Sequence, residues 1–153
     1  MTDYELMNSQ LRSLISGTCW EISDLANASA LLWESLDDIN WAGFYVMKDG
    51  RLMLGPFQGK TACTVIDTGK GVCGTAVLRD EVQLVPDVHL FPGHIACDSA
   101  SNAEIVIPVH RKGMIWGVLD IDSPVRNRFS QADSDGLQMF VRILEEKLEG
   151  MDD

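Results

Sequence analysis

The sequence has few positive charges and no long hydrophobic run. Its 12 lysines and arginines are outnumbered by 23 aspartates and glutamates, and the formal net charge is -11. A charge of this sign argues against a nucleic-acid partner or an anionic membrane surface. No apolar run approaches the roughly 18 residues needed to span a bilayer, and the acidic residues 1–5 lack the apolar segment of a signal peptide. We therefore expect a cytoplasmic protein with neither a nucleic-acid nor a membrane partner.

Short metal-binding and redox cysteine motifs are also missing. Cys63, Cys73 and Cys97 lie within 35 residues, separated by ten and then twenty-four positions. This spacing matches neither a zinc finger nor a Cys-x-x-Cys pair. Each of the three lies in a glycine-containing or polar setting, so we expect exposed thiols that act in turn as nucleophile and resolving partner. Cys19 precedes Trp20 between two predicted helices, and we expect it to fill the core or the helix junction.

The hydrophobic spacing predicts one α+β domain over residues 1–153. Steps of three and four residues predict N-terminal helices over about 3–37. Alternation then predicts a sheet with intervening loops over about 40–124, and a capping motif begins a C-terminal helix at about 130–149. Tight turns between successive strands favour antiparallel pairing, with helices packed on the sheet. The predicted strands and short middle helix are 41–47, 51–55, 64–66, 82–85, 104–109 and 114–121, with a helix over 71–78.

Three carboxylates are expected at one end of the sheet. Asp120 and Asp122 lie two apart near the end of a strand and therefore point to the same face. If the two last predicted strands form a hairpin, Glu104 reaches the same end. Carboxylates this close repel one another unless a proton or a cation intervenes. They predict a pocket suited to a substrate ammonium, although a solvated strand end is the simpler alternative.

Two aromatic residues share a face of the first predicted strand. Trp41 and Tyr45 are four positions apart, an even number of steps along a strand. Such residues are usually core. The alternative is an aromatic wall for a small ligand with a thioether-like or cationic group.

The segment around the last of the clustered cysteines offers a metal alternative. His89, His94 and Cys97 are close in sequence and are all zinc-ligand types. No close cysteine pair accompanies them, and structural zinc sites usually have shorter ligand spacings. A zinc-bound structural protein is therefore a minor hypothesis.

Five motifs together resemble the free methionine-(R)-sulfoxide reductases, a family of GAF-domain proteins. They are residues 40–45 (NWAGFY), 70–74 (KGVCG), 85–99 (VPDVHLFPGHIACDS), 104–108 (EIVIP) and 117–124 (GVLDIDSP). The resemblance spans about residue 27 to the C-terminus. Its cysteine spacing is more specific than that of a general GAF domain.

The resemblance implies a GAF fold, commonly a homodimer, and reduction of the free amino acid methionine (R)-sulfoxide without metal or organic cofactor. By similarity Cys97 forms a sulfenic acid, Cys63 closes a disulfide with it, and Cys73 is a third active-site thiol. Thioredoxin is the implied reductant. The residues that match the family's substrate pocket are Trp41, Tyr45, Glu104, Asp120 and Asp122. A GAF module that senses a small molecule without catalysis is the main alternative, and three thiols argue against it.

Overall fold

The computed structural model describes residues 1–94 and 100–151, and in it six antiparallel strands form one sheet. The strands are β1 (Trp41–Lys48), β2 (Arg51–Gly59), β3 (Val65–Ile66), β4 (Gln83–Val85), β5 (Ala103–Arg111) and β6 (Met114–Ser123). The helices in this part of the chain are α1 (Tyr4–Ile15), α2 (Glu21–Ser35), α3 (Gly71–Arg79) and α4 (Gln131–Glu149), with a 3-10 turn at Val88–Leu90. The strand order is β3-β2-β1-β6-β5-β4. The predicted α+β class and antiparallel pairing are confirmed.

Helices cover the two faces of the sheet unequally. α1, α2 and α4 pack together on one face, whereas α3 packs on the other against β5 and β6. Because side chains alternate along each strand, Phe44 and Leu119 enter the core beneath the three helices, while Tyr45 and Val118 enter a separate core beneath α3. We call these the helix side and the pocket side of the sheet.

The C-terminal helix begins as its sequence predicts. Ser130 Oγ accepts a hydrogen bond from the Asp133 backbone N–H, and the Asp133 carboxylate accepts one from the Ser130 backbone N–H. This capping box satisfies two amide groups at the start of the helix. The apolar residues on its inner face are all buried, namely Leu137, Phe140, Val141, Leu144 and Leu148.

One strand is longer than predicted. The sequence indicated that β2 ends at residue 55, before Pro56, but the strand continues to Gly59. The reason is a bulge: Gly43 pairs with Phe57 and Tyr45 with Leu54, so β2 has one extra residue between these pairs. A bulge frees the local backbone from regular ladder bonds and tolerates proline. The extension runs alongside β1 as far as Trp41, which pairs with Gly59.

A membrane-spanning helix is not found in the described part of the chain. Its helices lack the combination of length and apolar content that crossing a bilayer requires.

Candidate active site

Carboxylates meet on the pocket side at one end of β5 and β6. Glu104 lies opposite Asp122 in the strand register, and Asp120 lies two residues from Asp122 on the same face. All three line one pocket. The predicted hairpin and the grouping of acids are confirmed. The alternative of a solvated strand end is wrong for Asp120, which is 6% exposed, while Glu104 is 7% exposed.

Burial makes Glu104 and Asp120 hold protons more tightly than usual. Burial raises the pKa of Glu104 well above its ordinary value, and the charges of Asp120 and Asp122 raise it further. The pKa of Asp120 is also raised by burial, although hydrogen bonds from Glu104 and Cys73 act in the opposite direction. The Asp120 Oδ1 atom is buried without a hydrogen-bond partner among the described residues. The cluster therefore favours a shared proton or an incoming cationic group.

Cys73 lies against this cluster. The expectation of an exposed thiol is wrong, because Cys73 is 4% exposed. It occupies the first turn of α3, and Gly74 allows that turn to approach the preceding loop: an added Cβ there would lie 2.4 Å from the Asp67 carbonyl oxygen. Burial raises the pKa of the Cys73 thiol well above its ordinary value, and the charges of Asp120 and Glu104 raise it further. The thiol is therefore neutral at physiological pH.

One group in the described part of the chain has the spacing of metal ligands. The thiol of Cys73 and carboxylate oxygens of Glu104 and Asp120 all lie within 4.8 Å of one another. A thiolate with two carboxylates is a donor set compatible with zinc. Two of these residues are also the acids that suit a substrate ammonium, so a metal and a substrate would compete for the same place.

The histidines of the zinc hypothesis are not part of that group. His89 is 56% exposed at its side chain and pairs through Nδ1 with the Asp87 carboxylate at 2.9 Å. His94 lines the pocket, and burial lowers its pKa, as does the nearby His89. The third residue of the hypothesis, Cys97, lies outside the described residues. Within residues 1–94 and 100–151, nothing places His89 and His94 among three closely spaced donors.

The two predicted aromatic residues form one wall of the pocket and are also buried. The rings of Trp41 and Tyr45 are stacked with centroids 5.8 Å apart, and Phe57 stacks on Trp41 at 5.1 Å. Trp41 is 3% exposed and Tyr45 is 2% exposed, yet both line the pocket. The core and ligand-wall interpretations are therefore compatible. The sequence did not identify Phe57 as a stacking partner of Trp41, because β2 was expected to end before it.

Cys63 lies beside this wall in the loop that follows β2. Its side chain packs partly buried against the pocket-side core, and it is disulfide-bonded. The Tyr45 hydroxyl donates a hydrogen bond to the Cys63 carbonyl oxygen at 3.0 Å. Cys19 and Cys73 are free, and Cys19 is exposed at the junction of α1 and α2. The expectation that Cys19 fills the core or the helix junction is therefore wrong, because its side chain is exposed between the two helices.

Other polar residues of the pocket were not identified as site residues from the sequence. Lys70 and Ser101 line it together with His94. Ser101 is 6% exposed, and its Oγ accepts a hydrogen bond from Asn40 Nδ2 at 3.1 Å. Lys70 and His94 belong to motifs that carry the family resemblance, so their presence near the site had a sequence signal. Ser101 had none.

Comparison with known proteins gives a consistent family assignment. The GAF domain model matches residues 10–148. Free methionine-R-sulfoxide reductase of Escherichia coli is 55% identical over 145 residues, which are 95% of this chain and 88% of the relative. The reduced form of fRMsr from Staphylococcus aureus superposes with a TM-score of 0.95 at 50% identity, covering 97% of this chain and 96% of that one.

A second solved structure includes a substrate. Free methionine-R-sulfoxide reductase from Neisseria meningitidis, in complex with its substrate, superposes with a TM-score of 0.92 at 38% identity. The match covers 95% of this chain and 88% of that chain. With this agreement in sequence, fold and coverage, the chain belongs to the free methionine-R-sulfoxide reductases, a family built on a single GAF domain.

Proposed function

We propose that this protein reduces free L-methionine (R)-sulfoxide to methionine by thiol chemistry. The observation that carries the proposal is the pocket itself, which is lined by a cluster of carboxylates and by stacked aromatic rings, beside the loop that carries Cys63. An amino acid sulfoxide offers a complementary pair of groups, an ammonium at one end and a methyl sulfoxide at the other. The names of the relatives support the same substrate.

The carboxylates account for recognition of a free amino acid. Glu104, Asp120 and Asp122 are assigned to the substrate ammonium, whose charge compensates a cluster that burial otherwise forces to hold protons. Trp41 and Tyr45 are assigned to the methyl sulfoxide end, because both aromatic side chains line the pocket. A residue within a polypeptide has no such ammonium, and the selectivity for the free amino acid follows.

The proposed reaction has three steps: attack on the sulfoxide, formation of a disulfide and reduction of that disulfide. Cys97 attacks the sulfoxide sulfur, the sulfoxide oxygen is transferred to the cysteine sulfur, and methionine leaves while a sulfenic acid remains. Cys63 then condenses with the sulfenic acid to form a disulfide and water. Thioredoxin, a dithiol, reduces that disulfide by exchange and becomes oxidised itself. A buried carboxyl with a raised pKa, Glu104 or Asp120, supplies the proton to the departing oxygen.

The assignment of Cys97 rather than Cys73 as the attacking residue has support from electrostatics. Burial and the neighbouring carboxylates raise the pKa of the Cys73 thiol, so little thiolate is present at neutral pH. Only the thiolate is strongly nucleophilic. We therefore assign Cys73 to the hydrogen-bonded acid cluster. Cys97 lies outside the described residues, and its role, the thioredoxin partner, the homodimer and the cytoplasmic location remain predictions.

The test is turnover of the two diastereomers of free methionine sulfoxide with dithiothreitol or thioredoxin. We expect reduction of the R form, abolished by Cys97→Ser. Cys63→Ser should release one equivalent of methionine but fail to recycle with thioredoxin. Cys19→Ser is the matched control, because Cys19 is exposed and distant in the chain from the pocket residues. Absence of activity toward the R form would exclude this function and favour a sensing GAF module.

A further inference from the structure

The loop that carries Cys63 is attached to the aromatic wall by its backbone. Trp41 Nε1–H donates to the Lys60 carbonyl oxygen at 3.1 Å, and the Tyr45 hydroxyl donates to the Cys63 carbonyl oxygen at 3.0 Å. A third bond links the same loop to β2, since the Leu54 backbone N–H donates to the Thr64 carbonyl oxygen at 3.0 Å. The segment of residues 60–64 is therefore fixed at three points.

The residue that precedes this loop, Gly59, also packs closely against Trp41. Gly59 has a φ of +130°, and an added Cβ there would lie 2.7 Å from Trp41 Cδ1. The chain can pass this close to the indole ring only because Gly59 has no side chain. Gly59 itself is exposed and does not line the pocket.

The two aromatic side chains thus contact both the pocket and the loop. Both side chains line the pocket, while the indole N–H and the phenol O–H contact the loop. An indole has a single N–H donor, and a phenol has a single O–H donor. Each donor is already used on a loop carbonyl. Burial, together with the charge of Asp120, raises the pKa of Tyr45, so its hydroxyl remains a donor at physiological pH.

We propose that Trp41 and Tyr45 are positioning residues for Cys63, which they hold for the step that resolves the sulfenic acid. The inference rests on the function proposed above. In that step the Cys63 sulfur forms an S–S bond as the S–O bond of the Cys97 sulfenic acid breaks, and the hydroxyl leaves as water with the thiol proton. One sulfur is oxidised and the other reduced, so no external oxidant or reductant is needed. Resolution depends on the distance between the Cys63 thiol and the sulfenic acid, and small displacements of reacting groups slow such steps strongly.

The experiment compares Tyr45→Phe with Tyr4→Phe. Both variants lose one hydrogen-bonded tyrosine hydroxyl, but Tyr4 donates to Asp133 at 2.6 Å on the helix side, away from the pocket. Reduced protein is mixed with free methionine (R)-sulfoxide, and methionine release and disulfide formation are followed by quenched alkylation and mass spectrometry. We expect the ratio of the disulfide-formation rate to the methionine-release rate to fall about 10-fold in Tyr45→Phe, consistent with the loss of one hydrogen bond. Tyr4→Phe should keep the wild-type ratio.

A second measurement needs no substrate. The disulfide that contains Cys63 is equilibrated in dithiothreitol redox buffers, and Tyr45→Phe should shift the equilibrium about 10-fold toward the reduced form. This result would stand even if the sulfoxide proved not to be the substrate. A wild-type rate ratio together with an unshifted equilibrium in Tyr45→Phe would overturn the inference, as would equal shifts in both tyrosine variants.

Gly59→Ala provides an independent variant if Tyr45→Phe fails to fold. The added methyl displaces the loop from Trp41 without altering a residue that lines the pocket. We expect methionine release at the wild-type rate and slowed disulfide formation. Equal slowing of both steps would contradict a role confined to resolution.

Discussion

The same strands bury apolar side chains on one side of the sheet and carboxylates on the other. On the helix side β5 and β6 place Ile105, Leu119 and Ile121, all fully buried, beneath α1, α2 and α4. On the pocket side the alternate positions of these strands include Glu104 and Asp120, which are almost as deeply buried. Burying the first set stabilises the fold by about 25 cal/mol per Å² of apolar surface. Burying the second set costs free energy unless a proton or a cation accompanies it.

The elements that cover the two sides of the sheet also differ, in the length of their helices. The helix side is covered by helices of 12, 15 and 19 residues, whereas α3 on the pocket side has nine. The remaining pocket cover is loop, including the segment held by Trp41 and Tyr45. A rigid apolar layer on one side therefore supports a polar site on the other, where ligand access requires thinner cover. We therefore expect substitutions on the helix side to change mainly stability and substitutions on the pocket side to change mainly activity.

The largest effect on stability is expected on the helix side. Phe44 is fully buried there, and Phe44→Ala should lower the free energy of unfolding by about 3–5 kcal/mol through lost burial and the cavity left behind. The measurement is urea unfolding followed by circular dichroism. Leu78→Ala is the control, because Leu78 is 66% exposed and should lose little. A loss below about 1 kcal/mol in Phe44→Ala would mean that this layer repacks freely.

The opposite pattern is expected for Asp120→Asn on the pocket side. Removing one carboxylate from the proposed ammonium site should lower kcat/KM about 100-fold, as expected for a buried charge pair that loses a partner. The stability should rise, because an unfavourably buried acid is removed. Asp49→Asn, in the exposed β1–β2 turn, is the matched control. Unchanged kinetics would remove Asp120 from substrate binding.

The gain in stability should depend on pH. Burial raises the folded-state pKa of Asp120 above that of the unfolded chain. The folded protein therefore binds more protons between these two values, and the contribution of Asp120 to wild-type stability falls as the pH rises above about 3.9, the unfolded value. Asp120→Asn abolishes this loss, so its advantage over the wild type should be greater at pH 8 than at pH 4. An advantage independent of pH would mean that the ionisation of Asp120 does not destabilise the fold.

The sequence predicts the two-sided sheet because alternation is a local property. Alternation placed Asp120 and Asp122 on one face before any pairing was known, and the β5–β6 register then brought Glu104 to the same end. Burial is not local. Cys73 lies between glycines, which suggested exposure, but Gly74 allows the first turn of α3 to pack closely on the preceding loop. The bulge that carries β2 past Pro56 likewise depends on its partner strand.

The smallest effect is expected at a contact that joins the two sides. His110, at the end of β5, lies between Asp80 at the C-terminal cap of α3 and Glu145 of α4. Its Nε2 is 2.6 Å from Asp80 Oδ1, and its Nδ1 is 3.0 Å from Glu145 Oε2. Both ring nitrogens can donate to these carboxylates only when the imidazole is protonated. Burial lowers the pKa of His110, but the hydrogen bonds to Asp80 and Glu145 outweigh it and raise the pKa overall.

The sign of the pH dependence follows from that raised pKa. The stabilisation by His110 is complete below its unfolded value of about 6.5 and is lost as the pH rises through the higher folded value. Because the side chain is 39% exposed, solvent screening limits the effect, and His110→Gln should cost less than about 1 kcal/mol at pH 6. The variant should match the wild type more closely at pH 9 in urea unfolding. His89→Gln is the control, since His89 pairs only with Asp87 of its own loop among the ion pairs of the described residues. An equal loss at both pH values would mean that His110 joins the two sides by packing rather than by charge.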